Sequence, residues 1–466
     1  MRTQLTTIFA ILIGIFSFAQ SGHIMQGIGA VNMSMGGAAT AQPTDINGAI
    51  QWNPAAIAVF DGKIASISIG AFYASPELSS SMPAGMMGAG SPAVNGTVED
   101  ELGMSPMPAL AFVWSKPNSN HTFGASVFGV SGFGVDFPEE TNSPLAGVNF
   151  NPNESSSPIN YPQTAGGFGH ITSNYMMVQT SLTYAYSVSK KVSFGLQPNF
   201  NYHALELGPN PTANPDLPPA LGGTGKLYPT AKGTAMGYGA QVGVFYDSKS
   251  LLKLGMSYKT RQYFSEFTFE NTYLDGSTAP DNTFTMNYPS ILSFGMGLSG
   301  KKFDFATDVR FVNYENTEGF KESGWKINDD SSSPAFGHPT GAVNGFGWKN
   351  MTIFSIGLQY KIKDNIPIRI GYTNNTNPIK DSLTFYSVSA PAVVTQAAQI
   401  GLGYTIGKMD INLLYHKGFR GDGNSGTMLS PNAYNSVTNP LGKIPGTNVS
   451  YDMETSMFQV TLNYKL

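Results

Sequence analysis

From Phe458 to Leu466 the chain alternates without a miss. Phe458, Val460, Leu462, Tyr464 and Leu466 fall on one side; Gln459, Thr461, Asn463 and Lys465 fall on the other. A strand sends successive side chains to opposite faces, so this pattern gives one apolar and one polar surface. It recurs. Phe194, Leu196, Phe200 and Tyr202 oppose Ser193, Gln197, Asn199 and His203; Leu252, Leu254, Met256 and Tyr258 oppose Lys253 and Lys259. Phe303, Phe305, Val309 and Phe311 oppose Asp304, Asp308 and Arg310; Phe354, Ile356, Leu358 and Tyr360 oppose Lys349, Ser355 and Gln359. Fourteen strands are expected, near 63–73, 106–116, 120–133, 172–188, 191–206, 233–247, 250–271, 282–300, 301–315, 347–362, 365–376, 395–407, 408–420 and 454–466. The apolar faces of the later eleven are expected to carry no charge.

A soluble sandwich would also alternate, but its strands usually run to about 5–6 residues. Those here are longer, and their connections keep a rhythm. Short turns such as 188–191, 247–250, 299–302, 361–365 and 405–408 alternate with long loops at 74–105, 134–171, 207–232, 316–346 and 418–453. Short turns on one side and long loops on the other mark an outer-membrane barrel. The fold class is therefore all-β: a 14-stranded antiparallel transmembrane β-barrel. An even strand count puts both barrel ends on the periplasmic side, so the preceding segment can fold up into the lumen as an N-terminal hatch.

Composition narrows the function. Charged residues are 12% of the chain and mean hydropathy is −0.11, which fits a barrel rather than a helical membrane protein. A net charge of −4 with no basic cluster argues against nucleic acid. The absence of cysteine excludes disulfides and thiolate chemistry. Arg2, an apolar run from Ile8 to Phe18 and Ser17-Phe18-Ala19 read as a secretory signal peptide over residues 1–19, leaving Gln20 first. The run is too short for a spanning helix, which needs about 20 apolar residues. The expected organisation is signal 1–19, hatch 20–60 and barrel 61–466.

Within the hatch, Asn53-Pro54 reads as a helix start: Asn caps free amides and Pro fits the first helical position. Ala55 to Ala58 would continue it for one or two turns, too few to be stable alone in water.

The hatch stretch Met35-Gly36-Gly37-Ala38, Asp45 and Trp52-Asn53-Pro54-Ala55-Ala56 resembles the N-terminal plug of the outer-membrane long-chain fatty acid and hydrophobic compound transporters, the FadL/TodX family. Tyr258-Lys259-Thr260-Arg261, Asn287-Tyr288-Pro289 and Phe458 to Tyr464 resemble later strands of that family. The resemblance implies a monomeric, non-enzymatic transporter in the bacterial outer membrane, surrounded by lipid and without a cofactor. Its ligand would be a fatty acid or an aromatic hydrocarbon, captured at outer loops and passed to an inner pocket. A hatch shift around Asn53, Pro54 and Ala55 would then open a lateral gap at a kink in the third strand, where Gly124, Gly129 and Gly132 fall. Fatty-acid members hold the carboxylate with two cations. Lys349 matches one; where the other belongs this chain has His203-Ala204-Leu205-Glu206 and no Arg. Arg261, Arg310 and Arg369 are the substitutes on the polar face, or they pair with lumen carboxylates. Met82, Met86, Met87, Leu102, Met104 and Met107 cluster at the first long loop, as ligand contacts or as loop self-packing.

Rival readings are weaker. Gly222-Gly223-Thr224-Gly225-Lys226 lacks the Ser/Thr and strand-to-helix setting of a phosphate loop. The six histidines have no metal spacing, and Asp329-Asp330 is no EF-hand. An outer-membrane lipase would need a nucleophile motif that is absent; a structural adhesin or an unplugged porin leaves the hatch unexplained.

Overall fold

In a computed structural model of the chain, which describes residues 22–216, 223–333 and 335–466, strands form where the alternation runs. The barrel strands are β1 (Lys63–Met82), β2 (Met104–Ser115), β3 (His121–Phe137), β4 (Ile171–Ser187), β5 (Val192–Gly208), β6 (Thr230–Asp247), β7 (Leu252–Lys259), β8 (Ile291–Ser299), β9 (Phe303–Val312), β10 (Met351–Lys363), β11 (Ile366–Asn375), β12 (Gln396–Ile406), β13 (Met409–Gly418) and β14 (Asn448–Lys465). Each pairs antiparallel with its neighbours in sequence. β14 pairs with β1 from Ile64 opposite Lys465 to Ser81 opposite Asn448, so the sheet closes into a 14-stranded barrel. The expected signal peptide lies outside the described residues.

Two expected strands are broken. The run 250–271 splits into β7 and the short pieces Tyr263–Phe264 and Phe267–Thr272; 282–300 splits into Asn282–Phe284 and β8. Between them Gln262 and Tyr288 exchange backbone hydrogen bonds (3.0 and 3.2 Å), and Pro289 has no N–H to continue the ladder. β1 runs further than expected, because its outer end turns back as a hairpin with Val94–Glu99.

The two faces meet two surroundings. Ile69, Phe200, Tyr238, Ile400 and Phe458 are exposed on the outside, while Ser68, Gln197, Asn199, Gln241, Thr373 and Thr461 are buried in the lumen. The expected absence of charge from the outer face needs one correction. Lys417 and Glu454 share that face with Tyr415 and Phe458 and pair at 2.9 Å, and Glu206 shares it with Phe200 and Tyr202 and pairs with Lys232 at 3.1 Å. They sit at the long-loop ends of their strands, where cancelling charges avoid the cost of apolar surroundings. Among the described residues no helix is long and apolar enough to cross a membrane.

Residues 22–60 occupy the lumen. Helix α1 (Gly29–Ser34) packs on β11 to β14, and α2 (Ile46–Trp52) packs on β1 and β2. Asp45 caps α2 by accepting from the Gly48 N–H at 3.1 Å. Asn53 then ends α2 in extended backbone and accepts from the Ala55 N–H at 3.1 Å, with Pro54 in the first position of the next turn. That turn, Pro54–Val59, is the expected short helix, of the 3₁₀ type. Short helical pieces commonly take this tighter i→i+3 form.

The wall makes room for the hatch by omitting side chains. Gly195 faces Gly243 across β5 and β6, Gly255 faces Gly295 across β7 and β8, and Gly357 faces Gly371 across β10 and β11. A Cβ on any of the six would collide with hatch atoms: Ala55 at Gly195, Asn53 at Gly243, Thr40 at Gly255, Thr40 and Ala41 at Gly295, Met35 at Gly357, Gly36 at Gly371.

Candidate functional site

Polar pairs fasten the hatch to the wall. Asp308 and Arg310 are two apart on β9, so both point into the lumen, and their side chains meet at 2.5 Å. One Asp308 oxygen accepts from the Ala39 N–H (2.9 Å), the Thr40 N–H (3.0 Å) and the Thr40 hydroxyl (2.8 Å). Arg310 donates to the Gly37 carbonyl (2.7 Å), and its guanidinium lies 3.7 Å from the centre of the Trp52 ring. One ion pair thus holds three separate parts of the hatch. Asn53 adds donations to the Thr40 carbonyl (2.8 Å) and, across to β6, the Val244 carbonyl (3.0 Å).

The wall itself is broken at one place. β2 and β3 pair only from Ala109 opposite Phe128 to Ser115 opposite Thr122. Beyond that, Met104–Pro108 stays with β1, while Ser131–Phe137 stays with β4. Pro106 and Pro108 are two apart, so both lack an N–H on the same side of β2, and that side cannot donate to a neighbour. On β3 the register shifts between Gly129 and Ser131. The hatch fills part of the break. Met25 donates to the Val130 carbonyl (3.1 Å), and the His23 carbonyl accepts from the Ser131 hydroxyl (2.8 Å) and the Gly132 N–H (3.3 Å). A cavity of about 450 Å³ remains, bordered by His23, Met25, Leu102, Met104, Met107, Phe133, Tyr175, Met177 and Trp348. None of its lining residues is Asp, Glu, Lys or Arg.

At its inner end is a box of rings. His23 stacks on Phe320 (5.0 Å, 9°) and meets Tyr175, Tyr288, Tyr314 and Trp348 at 5.5–6.1 Å. Burial alone pushes the His23 imidazole down to about 3, so the ring is neutral.

The expected site residues divide. Gly129 and Gly132 lie at the kink. Gly124 does not: it sits in regular pairing opposite Val113 and Thr183, beside Ile50 and Ile57 of the hatch. Lys349 is exposed; Trp348 beside it takes the inward position, so the match in the motif does not carry a cation into the cavity. Arg261 pairs with Glu318 (2.9 Å), Arg310 with Asp308, and Arg369 donates to Gln359 (2.7 Å) and Asn412 (3.0 Å). All three arginines are engaged with protein groups. Of the methionine cluster, Leu102, Met104 and Met107 border the cavity, while Met86 is exposed. The ring box was missed because its members come from residue 23 and five distant positions; Tyr288, in Asn287-Tyr288-Pro289, and Trp348, beside Lys349, fell in stretches the resemblance drew on, but nothing joined them.

A closed barrel, apolar outside, with a plug in its lumen and a break in its wall, defines an outer-membrane channel for small molecules. The comparisons agree. Residues 156–418 match the family model described as outer membrane protein transport protein (OMPP1/FadL/TodX), and the chain belongs to that family. It is therefore an outer-membrane transport protein for hydrophobic compounds, not an enzyme. Among solved structures, a Pseudomonas aeruginosa FadL homologue is 13% identical over 96% of this chain and 100% of its own, with a TM-score of 0.68. The P. putida toluene transporter TodX is 17% identical over 95% and 99% (TM-score 0.65), and the Ralstonia pickettii toluene transporter TbuX 17% over 94% and 99% (TM-score 0.59). At those identities the likeness is one of fold. No curated protein sequence is significantly similar to the chain.

Proposed function

We propose that the protein takes up uncharged hydrophobic molecules, which enter the cavity beside His23 and leave sideways into the membrane through the break between β2 and β3. The observation that carries this is the cavity lining: mainly apolar, free of Asp, Glu, Lys and Arg, and set where the wall has lost its hydrogen bonds. A fatty-acid carboxylate there would be buried without a cation, which costs several kcal/mol. An aromatic or aliphatic hydrocarbon meets no such penalty, and each buried methylene contributes about 0.8 kcal/mol. The structures named for toluene transport support the same class. The moving part in this reading is the segment from residue 22 to 28, which borders the cavity. Asn53, Pro54 and Ala55 lie deeper and serve as its anchor.

Deleting Val130 removes the residue that interrupts the β3–β4 register and brings the two strands into continuous pairing. The expected outcome is loss of uptake of a labelled alkylbenzene by cells, with normal amounts of folded protein in the outer membrane. Met107→Trp, which fills the cavity without touching the register, is expected to do the same. Uptake at the unaltered rate in both variants would overturn the lateral route.

A further inference from the structure

The ring box beside the cavity contains polar atoms that nothing in the described structure satisfies. His23 Nδ1 lies 2.9 Å from the Tyr314 hydroxyl, but its Nε2 has no partner. Whichever tautomer the tyrosine selects, the second nitrogen is left with a proton to give or a lone pair to fill. His203 is clasped between Phe264 (3.8 Å, 13°) and Phe267 (4.1 Å, 15°). Its Nδ1 reaches Tyr175, a cavity residue, only at 3.5 Å, and its Nε2 is unpartnered. The Tyr288 hydroxyl, on the ring that meets His23 edge-on, is unpartnered too. His23, His203 and Tyr288 are all at most 2% exposed. Buried polar atoms are normally satisfied. His23 lines the cavity, so a partner for its Nε2 can come from there; Tyr288 and His203 stand behind it, on rings that meet His23 and Tyr175.

The character of that partner follows from its surroundings. Arg310, deeper in the lumen, is held by Asp308 and the Gly37 carbonyl, and none of the residues lining the cavity is Lys or Arg. The unmet set combines imidazole nitrogens with a phenol, so it offers both donors and acceptors and no net charge. A carboxylate lacks the proton an acceptor nitrogen would take and lacks a countercharge. A pure hydrocarbon leaves all three atoms unmet.

We propose that the box is the polar end of the ligand site, and that it takes the single neutral oxygen function of an otherwise apolar molecule, such as a phenol or alcohol, whose hydrocarbon part fills the adjoining cavity. This rests on the uptake reading above and narrows its substrate class. One hydrogen bond between neutral groups, made where none was available, is worth roughly a factor of ten in affinity.

The test uses the full-length protein in lipid nanodiscs at pH 7, since detergent would itself occupy an apolar site. Three probes of similar size are compared by displacement of a bound fluorescent ligand: butylbenzene, 4-propylphenol and 4-propylbenzoate. The expected order is the phenol about tenfold tighter than the hydrocarbon, with the benzoate weakest. Tyr288→Phe removes the hydroxyl and keeps the ring. It is expected to erase most of the phenol's advantage over butylbenzene, and circular dichroism confirms that the barrel is intact. His203→Phe, which preserves the stack, provides a second variant with the same expectation. Equal binding of phenol and hydrocarbon, unmoved by either substitution, would mean that ordered water alone fills the box and would overturn the inference while sparing the uptake reading. Tightest binding by the benzoate overturns both the neutral site and the uncharged-substrate reading. Failure of all three probes to bind, with no uptake by cells, removes both proposals.

Discussion

His23 joins the hatch, the kink and the ring box. Its carbonyl receives two hydrogen bonds from β3 while its ring lies among Tyr175, Tyr288, Tyr314, Phe320 and Trp348. No carboxylate is among those neighbours, so nothing offsets the cost of charging the buried imidazole. Undocked, the ring titrates near its ordinary 6.5; docked, at about 3. Above pH 6.5 neither state binds the extra proton and docking is at full strength. Below it the undocked segment gains a proton that the docked one refuses, so docking weakens as pH falls from 6.5 towards 3. At pH 5 the loss is about 2 kcal/mol, 1.36 for each unit below 6.5. Amide hydrogen exchange over residues 22–28, corrected for its intrinsic pH dependence, should therefore be faster at pH 5 than at pH 7.5. His23→Phe should abolish the difference; exchange that ignores pH in the parent protein would contradict the burial argument. Arg310 shows what the sequence could tell at this scale. Its alternation with Asp308 placed both on one face, and the ion pair was legible. The hatch atoms they hold lie about 270 residues away in the chain, and no local pattern encodes that separation.

At the scale of elements, periodicity located all fourteen strands, because each separates two different surroundings along its whole length. It failed where the chain stops obeying a sheet. The break after β7 obeys Pro289 and the Gln262–Tyr288 pairing. The kink was half legible: glycines marked β3, but the prolines of β2 that leave its side unpaired carried equal weight and were passed over. The opposed wall glycines were likewise invisible as pairs until register joined β5 to β6, β7 to β8 and β10 to β11. They bear directly on how tightly the plug seals. Gly243→Val places a branched side chain where the Asn53 amide sits, and that amide is bound to both Thr40 and Val244. The strand itself gains, since Val favours extended backbone and Gly weakens it. The expected result is a barrel that assembles normally but leaks. Single-channel current and uptake of a small hydrophilic antibiotic should both rise, whereas Val437→Ala, at an exposed loop position, should change neither. A tight seal in Gly243→Val would show that the hatch can sit elsewhere.

For the whole molecule the question is which part stabilises which. The barrel closes through β1 and β14 without using any hatch residue in the seam, and its outer face is apolar from strand to strand. Its lumen is the reverse: Gln179, Ser181, Gln197, Asn199, Gln241 and Thr461 would accept water as readily as they accept a plug. The hatch has no such independence. Its helices are six and seven residues long, well short of what holds a helix together in water, and its apolar residues are buried by the wall. Dependence therefore runs one way, from plug to barrel. Removing residues 22–60 should leave a folded barrel, with strand-rich circular dichroism and the slow unfolding in cold detergent that marks an intact cylinder. In planar bilayers that barrel should pass a steady ionic current, where the complete protein passes little. Uptake of an alkylbenzene should fall at the same time, because the cavity loses His23 and Met25 and its inner wall becomes water. If the truncated chain instead fails to insert, the lumen contacts belong to the barrel's own core and the plug is part of what folds it.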